Sequence, residues 1–190
     1  PFDAIDNRRV PERQWQIYTA EQQRAFFSVK MPIAYRRVFL LMLHSGVRFN
    51  EAEKLVWKDV VLDGVEPYLR IWSVSGRGLK TRRSHREIPI NKDLHSVLVA
   101  MRADQSPEDL VFTAPEGGRL NHNKVLECCH KVGAAAGIEE PTLHRWRHSF
   151  GTALAALGYP VQYIQKLMGH SSIEQTMEYI HIASRNLGHV

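Results

Sequence analysis

Cysteine is almost missing from this chain: there are two in 190 residues, and Cys128 and Cys129 stand side by side. Adjacent cysteines strain any disulfide between them and supply no CxxC clamp, which argues against a disulfide-stapled miniprotein and suits a reducing compartment. Also absent is any run of about 18 apolar residues, the length a membrane-spanning helix needs; the longest apolar stretch lies around 38–43. The N-terminus lacks a basic segment followed by an apolar one, so no secretory leader is read there. No internal repeat and no low-complexity tract is found. Neither sign of charge dominates, with 25 Lys plus Arg against 20 Asp plus Glu and a net charge of +5. That surplus suits a polyanionic partner, because basic side chains release the counterions condensed on phosphates, yet many metabolic enzymes are as basic. What is present is enough apolar material, 44% of residues, to bury a core and exclude disorder. A soluble, cytoplasmic protein with no membrane partner is expected.

Residues 1–16 mix Pro1, Pro11, Asn7, Arg8 and Arg9 with little apolar periodicity. With a first residue other than Met, they read as a linker arriving from an upstream domain. Thr19 with Gln22 predicts a helix start. A second helix begins at Pro32 and stops at Gly46, and Asn50 is placed to cap a short helix from 51 to about 57. The period then changes: 68–74 and 87–90 alternate as strands around Gly76 and Gly78, a β-hairpin with a basic tip. Asn91 opens another helix, 110–112 is a short extended piece, and Asn121 caps a helix ending near Gly137. Thr142, Pro160 and Ser171 or Ser172 start three closing helices, with breaks at Gly158 and Gly169. The fold class expected is mainly α with a small antiparallel β-sheet (α+β).

Two segments can carry chemistry. If Thr142 caps its helix, His144, Arg147 and His148 fall at i, i+3 and i+4 and share one face near a helix N-terminus. Guanidinium binds phosphate oxygens as a fork and imidazole can move a proton, so the face suits a phosphate. A solvated basic face, or a buried histidine bonded to backbone, explains the same residues. His144 and His148 also have the spacing of metal ligands, but no acidic residue stands between them. In the second segment Gly169 permits a left-handed turn that leaves His170 on a corner between helices. Tyr179 follows nine residues later, and alone it reads as packing with its hydroxyl at the surface.

The run Ser-Gly-Val-Arg-Phe-Asn-Glu at 45–51, with Leu55, Trp57, Asp59 and Val60 after it, resembles the first motif of the tyrosine recombinases, the phage integrase family. His144-x-x-Arg147-His148 with Ser149, Thr152 and Leu154, then the run Leu-Met-Gly-His-Ser-Ser at 167–172 and Tyr179, resembles the second. The likeness extends from 19 to about 181 in the family's order. It implies a recombinase catalytic domain over 18–190, with 1–17 the linker from a missing N-terminal DNA-binding domain.

Carried over residue by residue, the resemblance implies Arg48 and Arg147 as catalytic arginines, His144 and His170 as catalytic histidines, and Tyr179 as the nucleophile. The family's catalytic lysine sits on the hairpin turn, where Lys80 is the only lysine. Two departures stand out: Arg77 lies between Gly76 and Gly78 where many relatives have lysine, and Ala52 stands where relatives usually have leucine. Arginine is a poor proton donor at neutral pH, so Arg77 does not replace Lys80. Glu51 and His148 are expected to orient the catalytic groups, and Arg77, Arg82, Arg83 and Arg86 to meet DNA.

The activity implied is cutting and rejoining of double-stranded DNA through a 3′-phosphotyrosine, in phage or mobile-element integration or excision. Side-chain cations take the place of divalent metal, so no metal, ATP or other cofactor is implied. The resemblance also implies a homo-tetramer on paired sites for the full-length protein, with accessory DNA-bending proteins as possible partners. The alternatives are a type IB topoisomerase-like nicking-closing enzyme, a DNA-binding module without catalysis, and a metal-dependent hydrolase built on the ten histidines.

Overall fold

Side-chain caps mark where the helices begin. In the computed structural model, which describes residues 16–75 and 82–187, Thr19 and Gln22 bond each other's backbone amides at 3.2 and 3.1 Å and open α1, Ala20–Ser28. Helix α2, Ile33–Ser45, starts behind Pro32 and ends at Gly46, whose φ of 64° lies in the left-handed region. The short α3, Phe49–Ala52, follows directly. Asn91 caps α4, Lys92–Arg102, and Asn121 caps α5, His122–Ala135. Thr142 accepts the Arg145 amide at 3.3 Å to open α6, Leu143–Ala156. Helix α7, Val161–Met168, runs from behind Pro160 to Gly169 at φ 62°, and α8 is Glu174–Leu187.

The capping reading from sequence fits most of these starts, but α8 begins behind Ile173 rather than on Ser171 or Ser172, its first turn closing on the Ile173 carbonyl, and α3 differs too. Its helix begins ahead of Asn50, with Arg48 at the cap position, and it stops at Ala52 instead of near 57. The chain leaves helical geometry there because its backbone is taken up elsewhere: the Trp57 amide donates to the Asp109 carbonyl at 3.1 Å and the Val111 amide to the Leu55 carbonyl at 2.9 Å.

The sheet has three antiparallel strands in the order β1 (Val60–Val61), β2 (Tyr68–Ser75), β3 (Arg82–Pro89). Two-residue β1 is too short to show a period of two, so sequence alternation reveals only the hairpin. Its register pairs Tyr68 with Pro89 and Ser75 with Arg82, so both strands are longer than their apolar patterns suggest. Leu69, Ile71 and Ile88 are buried while Trp72 on the other face is exposed.

Helix α6 is the centre of the molecule. Its Trp146 ring is fully buried, with the rings of Tyr18, Phe26 and Phe27 at centroid distances of 4.1, 4.8 and 5.3 Å. Helices α2, α7 and α8 pack around it, and α7 also touches β3. Tyr18 locks the start of α6: its hydroxyl donates to the Thr142 carbonyl at 3.0 Å and accepts the Thr142 amide at 2.9 Å. The Arg145 guanidinium lies 4.4 Å from the Tyr18 ring centroid and donates to the Ile17 carbonyl at 3.0 Å. Among the described residues no helix is long and apolar enough to cross a membrane.

Candidate active site

Four backbone features converge on one face of α6: the left-handed end of α2, the first turn of α3, the left-handed end of α7, and α8. Arg147 points from α6 into that junction and is buried. Its Nη1 donates to the Gly46 carbonyl and its Nη2 to the Met168 carbonyl. Both acceptors lie at helix C-termini, where unpaired carbonyls and the negative end of the dipole favour a cation. Burial, and the charge of Arg48, bring the Arg147 pKa down to about 10, so the guanidinium stays charged at neutral pH.

Arg48 enters from the cap of α3 and keeps about a third of its side chain, 36%, in contact with solvent. Its Nη1 donates to Glu51 Oε1 and its Nη2 to the Gly169 carbonyl, both at a long 3.4 Å. The two arginines therefore differ: Arg147 is fixed and buried, Arg48 reachable and loosely held.

Tyr179 on α8 is the most deeply placed of the expected site residues, with 0% exposure. Its ring packs in a small apolar cluster with Ile164 and Met168, while its hydroxyl meets His148 Nδ1 at 3.2 Å and hydrogen-bonds Arg147. The ring is packed as expected, but the hydroxyl expected at the surface is buried against the basic cluster. Gly151 makes the fit possible, since a Cβ there would stand 2.6 Å from the Tyr179 ring. Burial pushes the Tyr179 pKa up to about 12 although Arg147 and Arg48 pull the other way. The hydroxyl keeps its proton at neutral pH and needs an acceptor to lose it.

Two histidines touch it, and a third lies beside one of them. His148 is one helical turn from His144, their ring centroids 5.7 Å apart. His170 stacks on Tyr179 at 5.7 Å and 22°, and its Nδ1 is 2.9 Å from the Thr176 hydroxyl. Burial first, then the neighbouring histidines and Arg147, lower the His148 pKa to about 3. Burial and the arginines lower His170 to about 4 and also lower His144. All three are neutral at pH 7 and can accept a proton. Among the described residues no three His, Cys, Asp or Glu side chains gather as metal ligands would.

The structure thus brings together Arg48, Glu51, His144, Arg147, His148, His170 and Tyr179. Arg77 and Lys80 lie outside the described residues, as do the side chains of Arg82 and Arg83. Arg86 is the departure from expectation. Instead of facing outward to meet DNA it is 8% exposed and paired with Glu51 through two bonds of 3.0 and 2.9 Å. Sequence reading missed Thr176, Gly151 and the structural use of Gly169. A glycine inside the amphipathic α6, one turn after Arg147, is the one signal that pointed to a close approach there.

A mainly helical domain gathers a buried tyrosine, two arginines and three histidines at one junction of its helices. Residues 14–186 match the phage integrase family, and the chain belongs to it. It is similar to a tyrosine recombinase XerC of Brucella melitensis, 31% identical over 194 residues, covering 98% of this chain and 56% of that protein. A crystal structure of a XerA recombinase shares its fold at a TM-score of 0.72 and 21% identity, covering 93% of this chain and 63% of the other. A Tn1549 transposon integrase in complex with circular intermediate DNA does so at 0.67 and 20%, covering 85% and 61%. The chain spans about half the length of the curated relatives it matches.

Proposed function

We propose that residues 18–190 are the catalytic domain of a site-specific recombinase that cuts and rejoins double-stranded DNA through Tyr179. The observation that carries this reading is the Tyr179 hydroxyl held against His148 and Arg147, with Arg48 exposed beside them. A phosphodiester docked on Arg48, over the buried charge of Arg147, would have its non-bridging oxygens neutralised as charge builds at phosphorus. Tyr179 Oη attacks the phosphorus, its proton passes to His148 Nδ1, and the bond from phosphorus to the 5′-oxygen breaks. Lys80 supplies the proton that the 5′-oxygen takes up. The product is a 3′-phosphotyrosine that keeps the ester energy, so a 5′-hydroxyl can reseal the strand without ATP. His170, stacked on the nucleophile, donates to the phosphate, and His144 supports His148 across the turn.

Geometry favours His148 over His144 as first proton acceptor, since only the former has a nitrogen in reach of Oη among the described contacts. Its low pKa is set first by burial and then by the neighbouring histidines and the charge of Arg147; a bound phosphate offsets that charge and makes the imidazole a better base. Incubation with nicked suicide DNA and mapping of the trapped peptide tests the proposal. Wild-type protein should give a covalent adduct at Tyr179 that persists in excess chelator, and Tyr179→Phe should bind DNA and give none. An adduct that survives Tyr179→Phe would overturn the assignment.

The related integrase solved with DNA supports DNA as partner. Assembly of the full-length protein as a homo-tetramer on paired sites, and help from DNA-bending proteins, belong to the same proposal. Strand exchange between two marked duplexes would distinguish it from nicking and closing alone.

A further inference from the structure

Arg86 uses every face of its guanidinium inside the protein. Nη1 and Nη2 grip Glu51 Oε1 and Oε2 at 3.0 and 2.9 Å, and Nε donates to the Leu167 carbonyl at 2.8 Å. Glu51 in turn holds Arg48: Oε2 accepts the Arg48 amide at 2.7 Å and Oε1 accepts Arg48 Nη1 at 3.4 Å. Arg48 Nη2 then returns to the Gly169 carbonyl, two residues beyond Leu167. A closed ring of hydrogen bonds therefore joins β3, the first turn of α3, and the end of α7 just before His170. Gly169 admits the arginine, since a Cβ there would stand 3.0 Å from Arg86 Cζ and Nη1.

We propose that Arg86 is a positioning residue for the cleavage step: through Glu51 it sets Arg48, and through Leu167 it seats the corner that carries His170, without touching DNA. This rests on the cleavage reading above. Only arginine can serve, because a planar fork with a third donor reaches a carboxylate and a carbonyl at once, whereas a lysine ammonium is a point charge. An arginine turned outward to a phosphate would abandon a buried carboxylate, so the geometry favours the strut over a DNA contact. Arg86 also lies six residues after Lys80 on the returning strand of the hairpin. The ring thereby ties the base of the strand that follows the proposed acid to the arginine that would hold the phosphate.

The carboxylate gives the test a signature. Burial alone would push the Glu51 pKa up, but the hydrogen bonds and charge of Arg86, followed by those of Arg48, hold it below the usual carboxylate value. The charged groups facing it are Arg48 on its own turn, Arg86 from β3 and Arg147 from α6, with His170 beyond Arg86 at the α7 corner. Without Arg86 the Glu51 pKa rises, and protonated Glu51 loosens Arg48.

Arg86→Gln and Arg86→Lys in the present chain are to be compared with wild type for DNA affinity across salt, single-turnover adduct formation at saturating nicked DNA, and thermal melting. The expected result is an unchanged salt slope, an adduct rate lower by about 100-fold, as a misplaced group costs, and little recovery with lysine. The acid limb of the pH–rate profile should move to higher pH in Arg86→Gln and, in Arg86→Gln/Glu51→Gln, fall back to the limb that His148 alone sets. A salt slope reduced by about one with a wild-type rate at saturation would mean that Arg86 contacts phosphate, and would overturn the proposal. A lower melting temperature with unaltered rate and pH profile in the folded fraction would overturn it too. If Arg86→Gln does not fold, Arg86→Lys carries the test, and a wild-type rate from folded Arg86→Lys sinks the strut. Wild-type protein that forms no adduct overturns the cleavage reading instead, whatever the Arg86 variants do.

Discussion

Replacing the Gly151 hydrogen with a methyl group would put a carbon 2.6 Å from the ring of Tyr179, a distance real Cβ contacts do not adopt. Neighbouring Phe150 and Leu154 pack on the same cluster, so the ring has to move. Gly151→Ala is expected to cost about 1–3 kcal/mol from overpacking and to slow adduct formation by about 100-fold through misplacement of the hydroxyl. Urea denaturation and single-turnover cleavage of nicked DNA measure the two effects separately. His148→Asn offers a second check, since the amide can hold the tyrosine hydroxyl but cannot take its proton. Adduct formation should fall by about 10²–10⁴-fold, the range general base catalysis supplies, while DNA affinity stays within a few-fold of wild type. The helical spacing of His144, Arg147 and His148 made their shared face legible in the sequence. Partners remote in sequence were not: the contact of His148 with Tyr179 spans 31 residues and that of Arg86 with Glu51 spans 35, and only the packed chain brings them together. For that reason Arg86 read as one more basic residue of an exposed hairpin.

Among the elements, α2 and α7 share a design. Each starts behind a proline, ends on a left-handed glycine, and presents its last carbonyls to an arginine from elsewhere: Gly46 and Met168 to Arg147, Leu167 to Arg86. Proline starts and glycine stops are strong local signals, which is why the helix ends could be read from the sequence. Strand β1 gave no such signal, and the early end of α3 depends on backbone bonds to 107–111 that no local pattern encodes. Gly46→Ala would force a side chain into the left-handed region and set its Cβ 2.9 Å from the Met168 sulfur, with Phe150 closer still. The expected loss of stability is about 2–5 kcal/mol, the sum of the backbone penalty and overpacking. It should appear as a lower denaturation midpoint with an unchanged m-value. Tyr18→Phe tests the other end of α6: losing the hydroxyl that serves both the Thr142 amide and carbonyl should cost about 1–3 kcal/mol by leaving buried groups unpaired.

At the scale of the whole molecule, the neutral histidines predict how stability responds to acid. His148 and His170 have folded pKa values near 3 and 4, against about 6.5 in an unfolded chain. The unfolded state therefore binds more protons below about pH 6.5. Their contribution is complete above that value and is lost as pH falls from it toward the folded values; depressed Glu51 adds its share below the usual carboxylate range. The melting temperature should be lower at pH 5 than at pH 7.5, and His148→Gln should flatten the dependence by removing one of the titrating groups. Differential scanning calorimetry across that range decides it, with an equal slope in the variant counting against a neutral buried imidazole.

The grip of Arg147 on two helix ends has a bearing on safety. A chain with α7 detached lacks the Met168 carbonyl that aims the guanidinium, along with the corner bearing His170. Under the proposed chemistry such a molecule could still cling to DNA through its basic surface, but it would be an unarmed one. Incompletely folded copies would then lack the geometry for breaking a strand, and the right to cut would be granted only on completion of the fold.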